Sequence, residues 1–223
     1  MIPANFERET MFTRKDTYNL PNELREWFET QYPCVGYENG IEADPTCYLS
    51  PDCRIVGKVK LGYRSVVLSG AQIRSDSDLI EIGAESNVQE NCVLHESAGY
   101  PIVIGEHSTI GHGAVIHGCT IGDNALIGMG ATVLDGAKIG NNALVGAGAV
   151  VPQGMEIPDN YMAVGVPARL RGPMTPDQIT KNVTMFAEAN LIEAENMLKV
   201  GLMEHPSEEL LRRICATRGH AES

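Results

Sequence analysis

An aliphatic residue recurs at every sixth position through the middle of the chain: Leu49, Ile55, Leu61, Val67 and Ile73, then Ile82, Val88 and Leu94, then Ile104, Ile110 and Ile116, then each sixth residue from Ile121 to Val151. Glycine often follows directly, as in Ile104-Gly105, Ile110-Gly111 and Ile121-Gly122. Such a period matches neither an amphipathic helix, which repeats at about 3.6, nor an alternating strand broken by hairpin turns. It suits a parallel β-helix with three short strands per coil, and a β-sandwich with regular turns is the weaker alternative. In the β-helix each hexad forms one flat side of a triangular prism. Its leading aliphatic points inward, and Gly, Asn or Asp turns the corner. Successive coils then stack about 4.8 Å apart.

The period slips in three places: the step is nine between Ile73 and Ile82, ten between Leu94 and Ile104, and five between Ile116 and Ile121. The first two mark insertions at corners, the second being the loop from Glu96 to Pro101. Loops on a rigid scaffold are where function tends to sit. The expected organisation is an N-terminal arm over 1–44, a β-helix domain over 45–172 and a helical segment over 173–223. In the arm, Leu20, Leu24, Trp27 and Phe28 at helical spacing predict a short amphipathic helix over 21–31. After the repeat, Thr175-Pro176-Asp177-Gln178 reads as a capping box with proline at the first helical position. A helix running to about residue 203 should follow, with Ile179, Val183, Phe186, Ile192 and Leu198 on its apolar side. Pro206 then opens a second short helix carrying Leu210, Leu211 and Ile214.

Charge narrows the partners. The 223 residues carry 17 Lys and Arg against 29 Asp and Glu, a net charge of −12, with no dense basic cluster. Electrostatic binding to nucleic acid or an anionic membrane is not expected. No stretch approaches the roughly 18 apolar residues that span a bilayer. The polar N-terminus shows no secretory signal. None of the six cysteines forms a C-x-x-C pair, so reduced, mostly buried thiols in a cytoplasmic protein are expected.

Hexad phase places the histidines. With Leu94 opening one side of the prism, Ile104 the second and Ile110 the third, Ile116 reopens the first side one coil higher. His95 and His117 therefore stack in adjacent coils, about 4.8 Å apart at the backbone, close enough for both imidazoles to hold one ion at about 2.0 to 2.1 Å. His112 stands on another side. Five extended residues reach on the order of 16 Å, so His112 and His117 of one chain should not share an ion. Either His112 is unrelated, or it reaches the site of a neighbouring copy around a threefold axis, completing a three-histidine set with a fourth position open. Arg74 shares the column of His95 and His117, and Asp76 can pair with an arginine. Gln89 lies one coil below His112. For Arg74 and Asp76 an interface salt bridge and a functional role remain equally open. His107, His205 and His220 neither share this column nor face it.

The segments Ile73-Arg74-Ser75-Asp76, Asn87-Val88-Gln89-Glu90-Asn91, Val93-Leu94-His95 and Ile110-Gly111-His112 through Val115-Ile116-His117-Gly118-Cys119 resemble the γ-class carbonic anhydrase family of hexapeptide-repeat proteins. The likeness covers roughly 45–172, including the exit Gly165-Val166-Pro167-Ala168. It implies a left-handed β-helix, a homotrimer, and Zn²⁺, with Co²⁺ or Fe²⁺ as substitutes, held by His95 and His117 of one chain and His112 of another. It also implies an Arg74 to Asp76 pairing, Gln89 orienting the attacking water, and reversible hydration of CO₂ to bicarbonate by a metal-bound hydroxide. The acidic insertion of archetypal members is absent here, which leaves Glu96 or Glu90 as the candidate proton shuttle. Relatives on this scaffold also suggest acyl-CoA thioesterase or acyltransferase activity. A trimeric metal-binding module without turnover is the non-enzymatic alternative.

Overall fold

The computed structural model describes residues 40–215, so the helix expected over 21–31, Cys34 and His220 lie outside the described residues. The hexads do form the three sides of a prism. One side pairs seven parallel strands from Tyr48–Leu49 to Tyr161–Val164, to which Arg169–Pro173 adds an antiparallel return. The other two sides are joined into one sheet, because Arg54–Leu61 and Gln72–Ile82 each run unbroken around a corner. The first slip in the period is thus a long bent strand. The second is a loop, closed by a bridge between Ser97 and Tyr100.

Register follows the hexads. Ile55 pairs with Ile73, Ile73 with Leu94 and Leu94 with Ile116, so the leading aliphatics stack in an inward column. All four are buried, and each contributes about 1.5–3 kcal/mol relative to exposure. Small residues such as Ala71, Cys92, Ala114 and Ala131 begin the same side and let the chain turn. At another corner an amide ladder runs up the prism: Asn124 Nδ2 donates to Asn142 Oδ1 at 2.7 Å and Asn142 Nδ2 to Asn160 Oδ1 at 3.1 Å. All three asparagines have φ between 48° and 65°, a region that asparagine tolerates better than most residues. His107 is the foot of this ladder, 3.3 Å from Asn124 Oδ1, and so stands away from His95 and His117 as expected.

The C-terminal segment straps the prism. Thr175 closes the expected capping box with Gln178. A turn of helix over Pro176–Ile179 leads through a π-helical turn, Thr180–Thr184, into the helix Met185–Lys199. The face it buries matches the expected one only in part: Val183 is buried and Leu198 packs against the same cluster, but Phe186 and Ile192 do not. Val183, Ala187, Asn190, Leu191 and Ala194 pack inward, while Phe186 and Ile192 are 51% and 59% exposed. Two alanines in the contact let the helix lie close against the outer positions of one side, where Leu191 and Ala194 meet Tyr48, Val66 and Leu68. Larger side chains at those positions would hold it off. At the foot of the prism Glu204 exchanges both backbone hydrogen bonds with Leu49, 2.9 Å each. The short helix Glu208–Cys215 then inserts Leu210 and Ile214 into the core, and Cys215 Sγ donates to Ile55 O at 3.2 Å. The edge of the first coil at Leu49 is thereby covered.

Candidate metal centre

The strand Val93–His95 pairs in parallel with Val115–His117 and with the start of Gln72–Ile82. Arg74, His95 and His117 therefore occupy one column on consecutive coils. Each side chain follows an inward aliphatic, so it must point out of the prism. His95 Nδ1 lies 3.1 Å from His117 Nε2. The remaining nitrogens face carboxylates: His95 Nε2 is 3.0 Å from Asp76 Oδ2, and His117 Nδ1 is 2.6 Å from Asp135 Oδ1. Asp76 Oδ2 also accepts from Arg74 Nη1, so the expected Arg74 to Asp76 pair forms within one chain.

Proton bookkeeping identifies what fits between the rings. A carboxylate only accepts, so His95 Nε2 and His117 Nδ1 each carry a proton and donate it. The two lone-pair nitrogens left over then face each other at 3.1 Å, and only a shared proton or a cation satisfies both. Two nitrogens bound at 2.0 to 2.1 Å to a tetrahedral ion are roughly 3.3 Å apart, close to the observed separation. The donor set fits a divalent metal, and carboxylates behind metal-binding imidazoles are the usual supporting shell.

Within one chain two imidazoles meet. Among the described residues no three His, Cys, Asp or Glu side chains gather around a common point. His112 sits at a different corner, 52% exposed along its side chain, with Nδ1 donating to Glu90 Oε2 at 2.6 Å. Gln89 lies beneath it: Gln89 Oε1 accepts from the His112 amide at 3.1 Å, and its Nε2 donates to Asn190 Oδ1 at 3.0 Å. Gln89 is thus a buried brace between the His112 corner and the C-terminal helix. Glu96, expected as a candidate proton shuttle, is fully buried, and its carboxylate accepts from the amides of Asp76 and Ser77 and from Ser77 Oγ. A carboxylate with three donors and no solvent contact is a clamp on the bent strand, because it has no route for passing protons to water.

Two residues of this arrangement escape the hexad reading. Asp135 lies 18 positions after His117, one coil up, and that spacing is a signal that could have found it. Asn190 comes from the strap, and nothing in the repeat points to it. Asp76 Oδ1 is buried without a partner among the described residues. An orphaned acceptor beside the histidine pair is what a site lacking a neighbour's donor would show.

Comparison with known proteins agrees with the fold. The family described as "Bacterial transferase hexapeptide (six repeats)" matches residues 118–153. A Methanocaldococcus jannaschii protein named "Probable carbonic anhydrase" is 57% identical over 125 residues, covering 56% of this chain and 79% of that protein. "Gamma carbonic anhydrase 1, mitochondrial" of Arabidopsis thaliana is 34% identical over 76% of this chain, which spans 65% of that protein. Among solved structures, a hexapeptide transferase family protein from Anaplasma phagocytophilum superposes with a TM-score of 0.67 at 31% identity, covering 70% of this chain and 92% of that one. The chain belongs to the γ-carbonic anhydrase family of hexapeptide-repeat β-helix proteins.

Proposed function

We propose that the protein catalyses the reversible hydration of CO₂ at a metal site shared between copies, with His95 and His117 from one chain and His112 from a neighbour in a homotrimer. The observation that carries this reading is the facing pair of imidazole nitrogens, each ring anchored from behind by a carboxylate. Zn²⁺, or Co²⁺ or Fe²⁺ in its place, would supply Lewis-acid polarisation and a water of lowered pKa.

The protein's own groups then have separable tasks. Asp76, held by Arg74, orients the His95 ring, and Gln89 holds the backbone of His112 in position from below. Gln89 satisfies one of its two amide N–H groups on Asn190, so a second remains to donate to a substrate oxygen. Hydration releases one proton for each bicarbonate formed. Glu90, half-buried and bonded to His112, is the most exposed of the carboxylates that contact the three histidines, and we assign the proton exit to it.

Stopped-flow CO₂ hydration on protein of measured metal content tests the reading, with His117→Ala as control. Activity that rises with bound metal and disappears in the control is expected. No activity from a fully loaded trimer would sink CO₂ hydration and turn the search to acyl-CoA thioesters, the substrate class suggested by the transferase-type relatives.

A further inference from the structure

We infer that Asp135 is a positioning residue for the metal centre: from the coil above, it fixes the His117 ring with its proton on Nδ1 and its lone pair on Nε2. This rests on the metal reading for its purpose, though not for its geometry. The contact is 2.6 Å, shorter than a typical neutral N–H···O bond and in keeping with a charged acceptor. Both side chains are about one-third exposed or less, 32% for His117 and 26% for Asp135, so the pair is partly shielded from competing water. The backbone is built to admit it. Gly118 has φ of 50°, and a Cβ placed on it would stand 2.4 Å from Asp135 Oδ1 and 2.8 Å from Tyr100 Cβ. Any side chain at 118 would displace the carboxylate that lies against His117. The Gly136 amide, immediately after Asp135, donates to Gly118 O at 2.7 Å and locks the two coils in this register.

Without the carboxylate, His117 is free to carry its proton on Nε2, the nitrogen that faces His95. That tautomer has no lone pair to offer a cation at the shared position. Losing a carboxylate behind a metal-binding imidazole weakens metal affinity about 10- to 100-fold in comparable sites.

The test uses the full chain in two measurements, ring ¹⁵N shifts of His117 in the metal-free protein and Co²⁺ affinity by chelator competition, for the wild type, Asp135→Ala and Asp135→Asn. The wild type should show His117 Nδ1 protonated, with Nε2 bare or sharing one proton with His95 Nδ1. Asp135→Ala should shift His117 towards Nε2–H and bind Co²⁺ about tenfold or more weakly, with Asp135→Asn intermediate because it keeps a neutral acceptor. Should Asp135→Ala fail to fold, the same two readings on Asp135→Asn decide. A His117 tautomer unchanged in the variant would overturn the inference whatever the affinity. A tautomer that moves in a protein whose wild type binds no Co²⁺ would uphold Asp135 and remove the metal reading instead.

Discussion

Glu90 and Glu96 show how burial divides two carboxylates six residues apart in sequence. Glu96 is enclosed and fully bonded, whereas Glu90 reaches water beside His112. Glu96→Gln should therefore lower stability, by about 1–3 kcal/mol in urea unfolding, because the amide group leaves donors of the bent strand mispaired. Glu90→Gln should leave the urea midpoint in place and lower kcat more than kcat/KM, with recovery on adding imidazole buffer. The thiols yield a pH prediction. Burial pushes Cys53 and Cys119 up to about 12 and Cys92 to about 11. Unfolding releases them towards 9.0, so their contribution to stability is complete below pH 9 and is lost as pH rises through the folded values. A urea midpoint that falls from pH 9 to 11, and that falls less in a Cys53→Ala variant, would bear this out.

At the scale of elements, the hexad pattern makes the prism legible because a column of aliphatics at fixed spacing has one efficient way to be buried. Leu94 and Ile116 predict their own pairing, and His95 and His117 follow one residue behind. The strap was less legible. Its start was written in Thr175 and Gln178 and part of its apolar side in Val183 and Leu198, but the rest of the buried face depended on the surface it met, where Ala187 and Ala194 fit and Phe186 and Ile192 do not. Asn190 belongs to that buried face, and its amide also bonds Phe186 O at 2.7 Å while receiving Gln89. Asn190→Ala should cost about 1–3 kcal/mol, since Gln89 Nε2 loses its buried acceptor. Urea unfolding measures this directly, and turnover at saturating CO₂ should drop alongside it.

At the scale of the whole molecule, the single chain presents two imidazoles in one place and the third at another corner. The hexad phase anticipated that separation, and the 18-residue coil spacing from His117 also marks Asp135, whereas Gln89's link to the strap depends on side-chain packing that no period encodes. The proposed sharing of the site between copies makes complementation a sharp test. His112→Ala and His117→Ala homotrimers should both be inactive. Co-expressed in equal amounts, they should assemble at random, so that about a quarter of all sites in the mixture pair an intact donor chain with an intact acceptor chain. Metal content and turnover of the purified mixture should recover to that fraction, and recovery of neither would mean that the three histidines do not meet between chains. The strap has a different consequence. Its helical run from Pro176 to Lys199 is about 36 Å long at 1.5 Å per residue, enough to carry the segment from Glu204 to Cys215 back beside the first coil, where Glu204 meets Leu49. During synthesis the coils can stack one upon another as they leave the ribosome, yet the floor of the prism is fitted last. Until residue 204 has been made, the Leu49 edge of the first coil lacks the two backbone hydrogen bonds that Glu204 gives it, and in a crowded polysome such a strand edge can pair with its counterpart on the neighbouring nascent chain.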